Sequence, residues 1–265
     1  TYFYAFDSTD LRRDVTCAIY NVAADGSAKI GQAITAICDG KYRRDWISNP
    51  TVSPTNAIQY FSLKWQILRY SDVMLMFAEA ENELNGPTAA AYNAVNQVRR
   101  RGYGQSITTA NASVDLPAGL NKADFFTAIV KERSLELGGE GVRKYDLIRW
   151  NLLATKINET KAALLAMSTL SAPYNTLPTS MYYRTGSTSD DNRFGSTGLW
   201  ANSFYTAAPT ATPAGTTKIV WLSAAINTTA LSRFATGFVT GKSELLPIPQ
   251  PARDANRNLT QNPGY

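Results

Sequence analysis

The sequence contains no histidine. That absence removes Ser-His-Asp and Cys-His catalysis, histidine-ligated zinc and non-haem iron, and any acid–base step through imidazole. Charge is also scarce. Asp, Glu, Lys and Arg make up 18 % of the chain, against an average of about 25 %. The net charge of +5 is spread thinly. Its one basic cluster, Arg99-Arg100-Arg101, lies at the end of a predicted helix, where cations favour the macrodipole. No basic stripe interleaved with aromatics points to nucleic acid. No apolar run approaches the ~18 residues of a membrane-spanning helix. Neither a signal peptide nor a lipidatable cysteine near residue 1 is visible. Phosphate loops, nucleotide fingerprints and metal-spaced clusters are missing as well. Asp7/Asp10 and Asp190-Asp191 are acidic pairs that do not match an EF-hand loop. No metal or cofactor is expected.

Cysteine is limited to Cys17 and Cys38. In an exported protein the two can close a disulfide worth roughly 3 kcal/mol through loop entropy. The other reading is a pair of free thiols acting as small apolar fillers. Cβ geometry decides between them.

What is present is sufficient for one domain over residues 1–265, since a chain of this length buries a sizeable core. Its most structured block is KERSLELGGEGVRKYDLIRW, Lys131 to Trp150. Glu132, Glu136, Glu140, Arg143 and Asp146 recur every three or four residues, beside an apolar side of Leu135, Leu137, Val142, Tyr145, Ile148 and Trp150. Residues at that spacing share a helix face. The block therefore predicts two helical pieces hinged at Gly138-Gly139, with a partly buried ion network or, alternatively, an active site. Upstream, periodicity predicts a helix over residues 69–84 with Val73, Met76, Phe77, Ala80 and Leu84 inward. Asn85-Gly86 stops it and Pro87 opens the next, which runs from Thr88 to Arg101 with Ala91, Ala94, Val95 and Val98 inward. The two form one tetratricopeptide-like pair, too few for a free-standing solenoid. Asn121 is a candidate N-cap for a helix ending near Leu137. Residues 142–153 and 155–167 predict further helix. Residues 1–60 read as irregular with one or two short strands, and 170–235 as a loop-rich insertion with minor β, KIVWL at Lys218–Leu222 being the best strand. The predicted fold is mainly α.

Several segments, in this order, resemble the C-terminal part of the SusD/RagB family: STDLRRDVTC from Ser8, LRYSDVMLMFAEAENEL from Leu68, AYNAVNQVRRRGYG from Ala91, IVKERSLELGGEGVRKYDLIRW from Ile129, then LLPIP and LTQNPGY at the end. The resemblance implies an outer-membrane lipoprotein that binds glycan without catalysis and works with a TonB-dependent, SusC-like transporter. It also implies a fragment, whose absent N-terminal half would carry the lipid anchor and most of a helical-repeat scaffold. In this reading LTQNPGY is a tail packed back on the body, anchored by Tyr265.

The carboxylates and the aromatics are the chemistry candidates. A glycosidase needs two carboxyls about 5.5 Å or further apart, and glutamates are available. Each, however, lies close to Arg or Lys, and salt-linked carboxylates are poor general acids. Glu79, Glu83, Glu132, Arg133, Glu136, Glu140, Arg143, Asp146 and Arg149 are therefore assigned to a structural ion network. Sugar binding uses flat rings flanked by polar side chains, because rings bury apolar area while freezing few rotors. Trp200, Tyr205, Tyr182 and Tyr183, with Arg193, Asp191 and Asn202, lie on predicted loops of the 170–235 region, and Trp46 is a second candidate beside Tyr42 and Arg43. Trp65 and Trp150 read as core. Two other functions stay open: a helical glycoside hydrolase with a Glu pair, and a protein-interaction module without a sugar site.

Overall fold

A computed structural model describes residues 1–23, 27–46, 64–188, 198–223 and 226–265. Helices dominate, as predicted: α1 (Arg12–Thr16), α2 (Tyr70–Asn85), α3 (Ala89–Gly102), α4 (Lys122–Glu136), α5 (Arg143–Arg149), α6 (Leu153–Thr169), α7 (Thr228–Arg233) and α8 (Gln250–Ala255). The strands form three antiparallel pairs: β1 (Cys17–Ala18) with β4 (Cys38–Asp39), β2 (Tyr20–Val22) with β3 (Lys29–Gly31), and β5 (Ser180–Arg184) with β6 (Thr216–Val220). No helix among the described residues is long and apolar enough to cross a membrane.

Local chemistry explains the helix ends. The Thr88 hydroxyl accepts from the Ala91 amide, and the Asn121 side chain accepts from the amides of Ala123 and Asp124, so one and two of the otherwise unpaired donors at these N-termini are satisfied. The Gly138-Gly139 joint separates α4 from α5. Asn151, with φ of 55°, separates α5 from α6, where the sequence suggested a longer first piece.

α2 and α3 make the predicted hairpin, and α4 packs on both. Their core contains Leu75, Ala78, Ala91, Ala94, Val95, Val98, Phe125 and Ile129. The inward set predicted for α3 is correct. The set predicted for α2 is not. Val73, Met76, Phe77, Ala80 and Leu84 face solvent, and the buried residues are Ser71, Asp72, Leu75, Ala78 and Asn82. The buried polar groups have long-range partners: Asp72 accepts from Arg133 at 2.7 Å, and Asn82 donates to the Lys122 carbonyl at 3.0 Å. A periodicity argument selects the greasier face, whereas tertiary bonding made the mixed face the buried one.

The second core is aromatic. Phe3, Trp200, Phe204 and Trp221 meet edge-on or tilted with ring centroids 5.1–5.9 Å apart, and Met167, Met181, Leu199 and Leu135 close around them. The 170–235 region thus supplies much of this core and the β5–β6 hairpin. α4 joins the two cores, with Phe125 and Ile129 in the helical one and Leu135 in the aromatic one.

Cys17 and Cys38 are free thiols, one buried and one exposed. Cys17 stands opposite Asp39 and Cys38 opposite Ala18. Adjacent register positions alternate faces, so the two thiols point to opposite sides. The C-terminal tail folds back on the non-helical segment that leads into α8: Gln261 brackets the backbone of Ile248, and the Tyr265 hydroxyl donates to the Leu245 carbonyl at 3.1 Å.

Candidate functional site

The aromatics chosen from the 170–235 region do not form a platform. Trp200 is 0 % exposed and has no face free to stack on a sugar. Tyr182 is buried in β5, a strand where a loop was expected. Asn202 is buried too: its Oδ1 accepts from the Tyr182 amide at 2.9 Å and its Nδ2 donates to the Ser180 carbonyl at 3.2 Å, so it caps the edge of β5. Tyr183 is half-buried, with its ring edge on Trp200 and pressed against Gly31, where any Cβ would come within 2.8 Å of the Trp200 ring. Tyr205 is half-buried as well. Its hydroxyl accepts from Arg13 at 3.0 Å and donates to the Phe6 carbonyl at 3.3 Å. Asp191 and Arg193, with Asp190, lie outside the described residues. Among the described candidates, Trp46, 43 % exposed, is the one that presents itself at the surface.

The carboxylates form the ion network, but their partners come from further away than the sequence suggested. Glu132 and Glu136 sit one turn apart on α4, a like-charge pairing that disfavours a helix by itself. Arg12 resolves it. Its Nη1 donates to Glu132 at 2.5 Å and to Glu136 at 3.2 Å, while its Nη2 donates to Asp10 at 2.6 Å. Arg99 also donates to Glu132, and Arg69 and Arg101 to Glu136. Burial alone would push the Glu136 carboxyl up; Arg69, Arg101 and Arg12 outweigh it and hold the group below its ordinary value. Burial likewise opposes ionisation of Glu140 and Glu79, and Arg69 with Lys41, and Arg149 with Trp150, reverse it. Arg133 pairs with Asp72 and Asp146, and Asp146 with Arg149. Two assignments need correction. Glu83 makes only an exposed pair with Lys122. Arg143 has no carboxylate partner among the described residues and donates instead to the Val130 carbonyl. Tyr145, expected on the apolar side of the block, is exposed.

A cleft of about 450 Å³ opens beside this network, lined by Leu11, Lys41, Tyr42, Gln66, Arg69 and Arg101 among others. On its rim Trp65 stacks on Tyr42, with ring centroids 4.9 Å apart and an interplanar angle of 24°. Trp65 is 56 % exposed, not core as the sequence suggested. It lies in the non-helical segment 64–69 that leads into α2, so helical periodicity does not apply to it. The turn carrying Tyr42 and Trp46 is held firmly. Buried Arg43 donates to the carbonyls of Gly40, Asp14 and Val15 and lies 4.0 Å beneath the Trp46 ring. Asp45 accepts from Lys29 and from the Tyr20 hydroxyl. Lys41 reaches the Glu136 carbonyl at 2.7 Å, tying the turn to α4. The result is an exposed indole, Trp65, stacked on a ring that lines a cleft whose guanidinium and amide groups can meet hydroxyls, with Trp46 exposed on the same rigid turn as Tyr42. Among the described residues no group of three or more Cys, Asp or Glu could hold a metal ion.

A helix hairpin backed by a third helix, tied through a buried ion layer to an aromatic-cored lobe, defines a mainly α scaffold. The SusD family model matches residues 38–265, and the chain belongs to that family. It is similar to "SusD-like protein P25" of Formosa agariphila, 39 % identical over 109 residues that make up 41 % of this chain and 19 % of that protein. "SusD-like protein P38" of the same organism is 36 % identical over 114 residues, 42 % of this chain and 20 % of that protein. The crystal structure of a SusD homologue from Bacteroides thetaiotaomicron superposes over 97 % of this chain with a TM-score of 0.50 at 26 % identity, and the match covers 41 % of that chain. The chain therefore spans well under half the length of the relatives it matches.

Proposed function

We propose that the protein binds oligosaccharide or polysaccharide at the cell surface without catalysis, as a lipoprotein of the outer membrane, and passes it to a TonB-dependent transporter. Membership of the SusD family supports glycan binding for uptake. The observation that carries the site is the exposed Tyr42–Trp65 stack on the rim of a polar cleft. Rings supply an apolar face at small entropic cost, and Gln66, Arg69 and Arg101 supply hydrogen bonds. The central glutamates argue against a hydrolase. Glu132, Glu136 and Glu140 are each paired with cations, which suits ionised, structural carboxylates and not a general acid.

The test is a glycan array followed by titration calorimetry on the best hit. Trp65→Ala is expected to weaken binding by about fivefold or more, as loss of a stacking ring of roughly 1–3 kcal/mol implies. Its melting temperature should barely change, because the ring is mostly exposed. Full affinity in Trp65→Ala would remove this cleft from the account.

A second reading has one observation in its favour. Tyr70, Val73, Met76, Phe77 and Leu84 leave an apolar face on α2 exposed, and faces of this kind mark contacts with protein. A protein-interaction role of the scaffold fits that face and can coexist with sugar binding.

A further inference from the structure

We infer that the cavity over Arg143 is a second saccharide subsite, selective for a sugar that carries an anionic group. This inference rests on the saccharide-binding reading above and adds the ligand class.

The three arginines of the Lys131–Trp150 block differ in one respect. Arg133 and Arg149 each pair with two carboxylates: Asp72 and Asp146 for the first, Glu79 and Asp146 for the second. Arg143 has none among the described residues. Asp146, three positions along, is already engaged by Arg133 at 2.8 and 3.1 Å and by Arg149 at 3.0 Å. One Arg143 nitrogen donates to the Val130 carbonyl at 2.9 Å, and the guanidinium lies 5.9 Å from the Trp150 ring centroid. A partly desolvated cation without a counter-ion is unfavourable. Burial accordingly pulls the Arg143 pKa down, against the pull of Asp146.

Arg143 lines a cavity of about 630 Å³, together with Tyr174, Lys156, Glu159, Thr160 and Ser134. That volume is within the usual range of small-molecule sites, about 300–1,000 Å³. Lys156 and Glu159 pair with each other at 2.7 Å, so among the described side chains of this wall Arg143 is the cation without a carboxylate held in an ion pair. Tyr174 is half-buried, with the Tyr4 ring 6.3 Å from it at an interplanar angle of 60°. The site thus pairs a planar donor fork with an aromatic surface. A uronate fits both, since its carboxylate accepts bidentately from a guanidinium while its pyranose face meets the ring. A sulfate ester offers the same oxyanion chemistry.

Calorimetry of the protein with an oligogalacturonate, a neutral galacto-oligosaccharide of equal length and a sulfated galacto-oligosaccharide tests the inference. The uronate oligomer is expected to bind at least about tenfold more tightly than the neutral one, as a charge-assisted hydrogen bond predicts. Arg143→Gln should remove that preference. Thr160→Glu is the independent check: it keeps Arg143 and its bond to Val130 but supplies an internal carboxylate from the cavity wall, and it should remove the preference equally. A stronger, Arg143-dependent preference for the sulfated oligomer keeps the site and assigns its anion to a sulfate ester. No preference for either acidic oligomer, or a preference that survives both substitutions, overturns the inference. If neutral oligomer binds through Trp65 and acidic oligomer does no better, only the Arg143 subsite falls. If no saccharide binds, the saccharide-binding reading falls with it.

Discussion

Arg12 donates to Asp10, Glu132 and Glu136 at once, and it reaches them by passing the end of α3 at Gly102. A Cβ at residue 102 would lie 2.3 Å from its Nε. Gly102→Ala must therefore displace a buried guanidinium and leave Glu132 and Glu136 facing each other one turn apart. The expected cost is about 2–4 kcal/mol, from overpacking together with a broken buried ion pair. Urea denaturation measures it, and a loss below about 1 kcal/mol would show that Arg12 is not fixed as described. That glycine follows three arginines in the sequence and reads there as an ordinary helix end. Its role comes from a side chain some ninety positions upstream. The same limit applies to the rings. Trp200 and Trp65 are equally aromatic in the sequence, yet one is the centre of a core and the other a surface plate. Among the described ring candidates, Trp46 alone is exposed as the sequence suggested.

α2 and α3 show what decides legibility in an element. α3 buries small and branched apolar residues along one stripe, so composition and packing agree. α2 carries its larger apolar residues on the face that stays exposed, and buries Leu75 and Ala78 between Asp72 and Asn82, whose partners Arg133 and Lys122 both lie on α4. Two substitutions distinguish these faces. Leu75→Ala is expected to cost about 2–5 kcal/mol, as for a fully buried leucine. Phe77→Ala, at a position 49 % exposed, is expected to cost under about 1 kcal/mol. Equal costs would mean that the outer face is covered in solution. β5 is the converse case: Tyr182 and Tyr183 sit in a stretch whose flanks have loop composition, and strand pairing with β6 gave it structure that the local sequence did not announce.

At the scale of the whole molecule, the ion network is the layer where the helical and aromatic cores meet, because α4 belongs to both. This makes stability sensitive to acid in a definite direction. Glu136, Glu140 and Glu79 are held below their ordinary values in the folded protein, so below about the ordinary glutamate value of 4.5 the unfolded chain takes up protons more readily. Their contribution is complete above that value and is lost as pH falls through it toward the depressed folded values. Melting temperatures measured from pH 7 to 3 should be flat to about pH 5 and then fall. A melting temperature that stays constant to pH 3 would show that these pairs add nothing. The sequence by itself determined the central helices α2 to α6, the Asn121 cap, the hinge at Gly138-Gly139, the charged character of the central block and the family, since all of these are written in local spacing and in the order of short motifs. Tertiary structure alone decided which face of α2 is buried, which cations neutralise the glutamates, that Arg143 pairs with no carboxylate among the described residues, and which rings reach the surface. The physical reason is that burial and charge pairing depend on groups brought together from more than a hundred residues apart, such as Arg12 and Glu132, and no local pattern encodes that meeting.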